Sequence, residues 1–561
     1  GERVGGAMLE GRPRAVLTFL CAINLVNYMD RGVIPGAPIQ FGSFVSCALG
    51  TPASRQSVYV GLSVSAFIVC YAISSPIFGQ LSQSVPHFRI LGVGLSIWVL
   101  ALALSGLAYY IGETPVAYYL FLLGRAVSGV GESAFQCIVP PYVEEFAPAQ
   151  WRAFCLALFY TAIPVGTALG YEYGSLMAES VGWGWAFLLE AAIMLPFAAA
   201  SFFLPSASTI SAPVGSLMSL SGPTCSASGI GELPGAAPLL HAAEGGGGMP
   251  SSAVSDVMVQ RNADTCAAIP APKGALAQTK MLLSSPAYVC LVLGYAAQTA
   301  TVIGISTYGP IFLLGFGSFT SQSACSFAFA ISVSIGGVLG TPLGGVLTDA
   351  VLERSRRTRV PLSPEHEAAR EAAIISAVIS LQMLLGLAAM MAAAAIAATP
   401  SLAYIFLLLI SLAVFSIYGT SAGLTRVIML TVPMETRPFA IALQTLGLHM
   451  FGDVPSPVVV GAIKDALAPH CGITFGNTSS HYHPGGDCGA VDGGHLNPMC
   501  AASEHDRRGL HITIIFAVLW STWAVVLWAI TYILLKRRER HLVKLHAGAN
   551  ECLPPLSSTE S

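Results

Sequence analysis

The chain has 561 residues, 54% of them hydrophobic and 10% charged, against roughly 25% charged in ordinary soluble domains. That balance, with apolar runs too long and too numerous for soluble cores, excludes a string of globular domains in water. The formal net charge of −3 decides nothing alone; the placement of the charges along the chain is what informs.

Runs of about 20 apolar residues, the length that crosses a hydrocarbon core, predict twelve spans. In the first half they cover 15–36, 58–82, 89–111, 115–140, 153–177 and 184–204; in the second, 286–314, 321–348, 372–397, 401–432, 438–462 and 511–535. The fold class is therefore an all-α membrane protein with twelve transmembrane helices in two pseudo-symmetric six-helix bundles. The expected division is a tail over 1–14, a first bundle over 15–205, a flexible linker over 206–285, a second bundle over 286–535, and a tail over 536–561. The chain opens on Gly1 rather than Met, which leaves room for residues upstream. No signal-peptide pattern is visible, so the first run is expected to be retained.

The linker reads as flexible because it is rich in Ser, Gly, Ala and Pro and contains Gly245–Gly248. Arg354–Arg359, followed by the polar stretch 363–371, reads as a short cytosolic helix along the membrane and a positive-inside anchor. With both termini cytosolic, nineteen of the 26 Lys and Arg residues fall on the cytosolic side. Arg55, Lys464, Arg507 and Arg508 fall on the other, and Arg31, Arg125 and Arg426 inside spans. That asymmetry sets the orientation.

The loop 465–510 then lies on the outer or lumenal side, where Asn477-Thr-Ser479 is a glycosylation acceptor. Cys471, Cys488 and Cys500, with Cys47 in the first outer loop, allow two disulfides whose connectivity the sequence leaves open. His481, His483, Asp487 and His495 have irregular spacing, so a pinned loop is expected rather than a metal site.

Two patterns recur half-way along. Pro76-Ile-Phe-Gly79-Gln-Leu81-Ser-Gln83 and Pro342-Leu-Gly-Gly345-Val-Leu347-Thr-Asp349 share Pro, Gly and Leu in register. Arg152-Ala-Phe154-Cys-Leu-Ala157-Leu158 and Arg437-Pro-Phe439-Ala-Ile-Ala442-Leu443 follow in the same order. Repeated apolar bundles with matching polar loops are the signature of a secondary transporter whose site lies between its halves. The loop residues, with Arg354, are the expected gating elements.

The chemistry must sit in the few charges that enter the bilayer, where one at mid-helix costs about 2.5–3.5 kcal/mol. The first half offers Asp30, Arg31, Arg125, Glu132, Glu172 and Glu190; the second offers Arg426, His449 and Asp453. Arg125 and Glu132 lie two helical turns apart and share a face. Two readings stay open here. Asp30–Arg125 or Glu132–Arg31 can be ion pairs that fix packing. Alternatively the carboxylates and His449 exchange protons while Arg31 or Arg125 holds an anion. Arg125, near the midplane, is the expected anchor for a phosphate headgroup because its fork donates two hydrogen bonds.

Four motifs give these residues a context. Asn24-Leu-Val-Asn27-Tyr28-Met-Asp30-Arg31, Gly124-Arg125-Ala-Val-Ser-Gly129-Val-Gly131-Glu132, Phe159-Tyr-Thr-Ala-Ile-Pro164-Val-Gly166-Thr-Ala-Leu-Gly170-Tyr171 and Gln444-Thr-Leu-Gly-Leu-His449-Met-Phe-Gly452-Asp453-Val-Pro-Ser456-Pro457 resemble the first, fourth, fifth and eleventh helices of the Spinster family of major-facilitator transporters. The resemblance implies the major facilitator fold, alternating access, and an amphipathic lipid cargo of lysophospholipid or sphingoid-phosphate type. It implies proton-coupling roles for Asp30, Glu132 and His449 and substrate contacts for Arg31, Arg125, Asn27 and Tyr28. Expected partners are membrane lipids, an amphipathic small molecule and protons, with no nucleic acid and a monomeric state, in an endolysosomal or plasma membrane. A carrier of a small organic anion or sugar, and a non-transporting sensor on the same fold, remain as alternatives. No phosphate-binding Gly-rich loop with Lys appears, so no cofactor, ATP drive or enzymatic activity is expected.

The chain also departs from that pattern. Gln83 and Ser84 stand where the family's first loop carries Asp and Arg, while Asp349 and Arg354 keep that charge lock in the second half. Leu188 replaces an expected Arg, and Glu172 and Glu190 are additions.

Overall fold

The computed structural model describes residues 2–82, 85–146, 152–204, 274–357, 363–433, 436–474 and 495–551. The amino-terminal bundle comprises α1 (Glu2–Gly36), α2 (Pro38–Leu49), α3 (Gln56–Leu81), α4 (His87–Ile111), α5 (Pro115–Phe146), α6 (Arg152–Ser180) and α7 (Trp183–Ser201). After α8 (Ala275–Leu283) come α9 (Pro286–Gly315), α10 (Gln322–Arg357), α11 (Pro364–Ile396), α12 (Ala403–Tyr418) and α13 (Ser421–Thr431). The last elements are α14 (Arg437–Leu448), a π-helical turn (His449–Asp453), α15 (Pro455–Leu467), the two-residue strands β1 (Ile473–Thr474) and β2 (His495–Leu496), α16 (Met499–Ala502), α17 (Glu504–Trp520) and α18 (Thr522–Glu551).

Each of the twelve predicted runs lies on helix. Among the described residues, nine helical stretches are long and apolar enough to cross a membrane, ten if the first, bent by 67° between Gly36 and Pro38, is one broken span. Not among those stretches are α5, which carries Arg125 and Glu132, and α6, which carries Glu172 and Glu179. These are helices that line the interior. Apolar side chains such as Leu100, Leu408 and Tyr404 form the exposed flank, as a lipid-facing surface requires.

Close crossings rest on small residues. A Cβ at Gly170 of α6 would lie 2.1 Å from Met29 O of α1, and one at Gly344 of α10 would lie 2.3 Å from Gly419. Gly166, Gly170 and Gly174, each four apart, let α6 press its backbone against α1.

Three expectations are corrected. Residues 363–371 are not a separate helix along the membrane: Ser363 accepts from His366 N–H and starts α11, whose first turns carry Arg370 and Glu371 against α10. The opening tail and the first part of the closing tail are helical, as extensions of α1 and α18, and α8 lies within the last part of the expected linker. Lys464 lies at the end expected for it, beside the 465–510 loop, but is fully buried there rather than exposed.

The halves meet through α3 against α15 and α6 against α10. The hydrogen bonds across these seams cluster at the end that carries the 465–510 loop. Gln56 exchanges hydrogen bonds with Ile473 (2.9 and 2.7 Å), and Val58 N–H donates to Asp465 at 3.1 Å. Lys464 Nζ donates to Ser57 Oγ at 2.8 Å, while the Tyr308 hydroxyl lies 2.7 Å from Ser57 O and from Pro457 O. On the other seam, Ser326 donates to Gly36 O (2.9 Å) and Ser323 to Glu172 (3.1 Å). None of these bonds lies at the opposite end, which carries the termini. A Cβ at Gly79 would meet nothing within 4 Å. Among the described residues, the loop-bearing end is the bonded, closed one and the end with the termini the more open one.

Candidate functional site

Asp30 and Arg31 are neighbours on α1, so their side chains leave the helix about 100° apart. Each finds a different partner on α5. Arg125 Nη1 donates to both oxygens of Asp30, at 2.7 and 2.9 Å. Arg31 donates through Nε (3.0 Å) and Nη2 to the same Glu132 oxygen. Both packing pairs that the sequence allowed therefore form together. Their surroundings differ. The Arg125 side chain is 3% exposed and Asp30 fully buried, whereas Arg31 is 25% exposed over a buried Glu132.

Aromatic faces enclose the cations. Arg31 lies 4.7 Å from the Tyr28 ring centre, 5.1 Å from Phe67 and 5.3 Å from Tyr71. Arg125 lies 5.1 Å from the Phe67 ring centre and 5.5 Å from that of Phe187. Such contacts hold a guanidinium by its face and leave its edge for anions. Phe67 and Tyr71, one turn apart on α3, were not singled out by sequence reasoning; their i, i+4 spacing just before the Pro76 pattern was the available signal.

The second half reaches this cluster at His449, with Tyr418 also within electrostatic reach of Arg31. His449 packs edge-on to Tyr71, with ring centres 5.2 Å apart, and its Nδ1 lies 2.7 Å from Asp453 Oδ2. Both belong to the π-helical turn, a geometry that recurs at functional sites. Gly452 within it lies so close to α9 that a Cβ would sit 2.4 Å from Ala296 O. Glu132, Arg31, Tyr71, His449 and Asp453 thus form a continuous polar and aromatic path across the seam.

The remaining predicted residues distribute as follows. Asn27 is buried one turn before Arg31, and neither of its amide atoms has a partner among the described residues. Asn24, beside it, donates to Phe159 O at 2.8 Å and accepts from Gln136 at 2.9 Å. Gly79 and Gly345 lie at the open end. The lock assigned to Asp349 and Arg354 takes another form: Asp349 pairs with Arg426 at 2.8 Å, and Arg354 points into the exposed surface. Arg426 also approaches Glu371, which Arg356 contacts, so it serves the open end rather than the midplane. Arg437 donates to Val432 O at 3.4 Å. Gln83, Asn477, Cys488, His481, His483 and Asp487, and the side chain of Arg152, lie outside the described residues. Cys471 and Cys500 are joined to each other, and Cys47 is disulfide-bonded to a partner outside the described residues.

The expectation that Arg125 offers itself to an anionic group meets an obstacle in this state. Asp30 already holds it, and Phe67 and Phe187 cover it. Arg31, though paired with Glu132, is the more exposed of the two cations.

Comparison with known proteins agrees with this architecture. Residues 20–457 match the family description Major Facilitator Superfamily. The chain is 29% identical over 468 residues to the probable sphingolipid transporter spinster homolog 2 of Arabidopsis thaliana, covering 81% of each chain. It is 26% identical to protein spinster homolog 1 of Homo sapiens, over 83% of this chain and 75% of that one. Its fold overlays a bacterial homolog to the human lysosomal transporter Spinster, solved inward-facing and occupied, with TM-score 0.59 at 15% identity over 93% and 97% of the two chains. A D-xylose-proton symporter overlays with TM-score 0.53 at 15% identity, over 90% and 96%.

Proposed function

The chain belongs to the major facilitator superfamily, as a member of Spinster type, and is a membrane transporter; we propose that its cargo is a single-tailed lipid anion moved with protons by alternating access. The headgroup is of lysophospholipid or sphingoid-phosphate kind; the Arabidopsis relatives are named as probable sphingolipid transporters. With the termini cytosolic, the state described here is open to the cytosol.

One observation carries the reading. Arg31 is the more exposed of the two paired cations and lies against Tyr71, which His449 of the other half touches, and its anionic partner Glu132 is fully buried. A proton on Glu132 cancels that pairing and frees the Arg31 fork for a phosphate. When the proton leaves, Glu132 reclaims Arg31 and the anion is expelled. Proton and anion therefore travel together, and neither charge stands alone in the low-dielectric interior. The Tyr71–His449 contact lets the second half sense the state of this pair. Tyr28, Phe67 and Tyr71 provide apolar faces beside the headgroup, where the lipid's glycerol or sphingoid carbons pack.

Binding of lysophosphatidic acid and of the matched monoacylglycerol tests the assignment. Arg31→Lys should weaken lysophosphatidic acid about tenfold and Arg31→Ala more, since charge-assisted hydrogen bonds are lost, while monoacylglycerol changes little. Equal loss for both lipids would make Arg31 structural. Competition by xylose or citrate, but not by either lipid, would favour a carrier of small solutes.

A further inference from the structure

Glu190 on α7 plays no part in the cycle above. It is fully buried, and neither of its carboxylate oxygens has a partner among the described residues. Arg125 shows the complementary feature: its Nη1 serves Asp30, while its buried Nε has no acceptor among those residues. Helix α7 packs on α1, α4 and α6. From α1 comes Asp30, and from α5, behind it, Arg125; both lie within electrostatic reach of Glu190. From α6 comes Tyr173, whose hydroxyl donates to Ala186 O at 2.7 Å and so is spent. Helix α4 has no titratable side chain between Arg89 and Tyr109.

The local charge count is two carboxyls against one guanidinium. Arg125 neutralises one ionised carboxylate. A second, enclosed and without a hydrogen bond, would cost several kcal/mol, and taking up a proton removes that cost. We propose that Asp30 and Glu190 are alternative carboxylate partners of Arg125 that share one proton, with Asp30 ionised and Glu190 protonated in this state. In the exchanged state one O–H bond has broken on Glu190 and one has formed on Asp30. Arg125 keeps all its protons and turns its unused edge toward Glu190. The amino-terminal bundle thus holds a proton-binding site beside the Arg31–Glu132 pair. The exchange step rests on the transporter reading; the shared proton does not.

Infrared spectroscopy of the purified full chain in lipid nanodiscs at neutral pH tests this without a substrate, using the protonated-carboxyl stretching band and its shift in D2O. Glu190→Gln should remove one carboxyl's share of that band. Asp30→Asn and Asp30→Ser should remove the same share, because Arg125 then takes Glu190 as an ionised partner; two substitutions guard against one failing to fold. A band unchanged in Glu190→Gln would overturn the proposal. So would a band lost in Glu190→Gln but kept in both Asp30 variants, which would leave Glu190 an isolated buried acid. Lipid uptake is measured separately, so either reading can fail while the other stands.

Discussion

The two bundles share a plan and divide the chemistry. The amino-terminal one buries Asp30, Arg125, Glu132 and Glu190 and leaves Arg31 half-open, whereas the carboxyl-terminal one brings only His449 and Asp453 to that level. Among its other charges, Arg426 with Asp349 and Glu371 sits at the open end, and Lys464 with Asp465 at the closed end. On the reading proposed above, one half carries the site and the other the gate; they meet where α3 packs on α15 and the π-helical turn, and where α6 packs on α10. Coupling in such a molecule depends on the gate half reading the charge state of the site half.

Breaking the site half should have the largest effect. Arg31→Ala leaves Glu132 buried without its cation, and loss of one partner of a buried pair costs about 3–5 kcal/mol. Thermal unfolding in detergent should show a large drop, and the Arg31→Ala/Glu132→Gln double variant should recover most of it. A double variant as unstable as the single one would mean that the aromatic contacts, not the ion pair, hold Arg31.

A smaller effect is expected at the closed end. Lys464→Met keeps the length of the side chain and removes its hydrogen bond to Ser57, and Asp465→Asn weakens the acceptor for Val58 N–H. Together they should shift the population toward opening on that side. A Val60→Cys reporter should react several-fold faster with an impermeant maleimide in this background, and an unchanged rate would remove these residues from the gate. Smallest of all, Asp349→Asn acts on an exposed pair, and its effect on stability should stay within about 1 kcal/mol.

The spans were legible because lipid-facing helices must be apolar throughout, and the charged positions because so few charges enter the membrane. The pairing was not legible. Positions 30 and 31 are consecutive, and only the rotation of α1 against α5 decides that Asp30 is sealed while Arg31 opens. The burial of Lys464 was hidden for a related reason: distance from the end of an apolar run does not say whether a side chain faces the opposite bundle. The stretch 363–371 looked like a separate helix because of its polarity, yet Ser363 caps it into α11 and its charges are spent on α10. Phe67 and Tyr71 were hidden because aromatic residues in an apolar run carry no mark of facing a cation.

Uptake of lysophosphatidic acid into proteoliposomes with an imposed pH difference tests the central claim most directly, with Glu132→Gln beside the unaltered chain. The account predicts that the unaltered protein accumulates lipid in response to the gradient. Glu132→Gln, fixed in a neutral form, should still exchange labelled for unlabelled lipid but lose gradient-driven accumulation. Gradient-driven uptake at near-normal rate in Glu132→Gln would contradict the account and leave the Arg31–Glu132 pair a packing element.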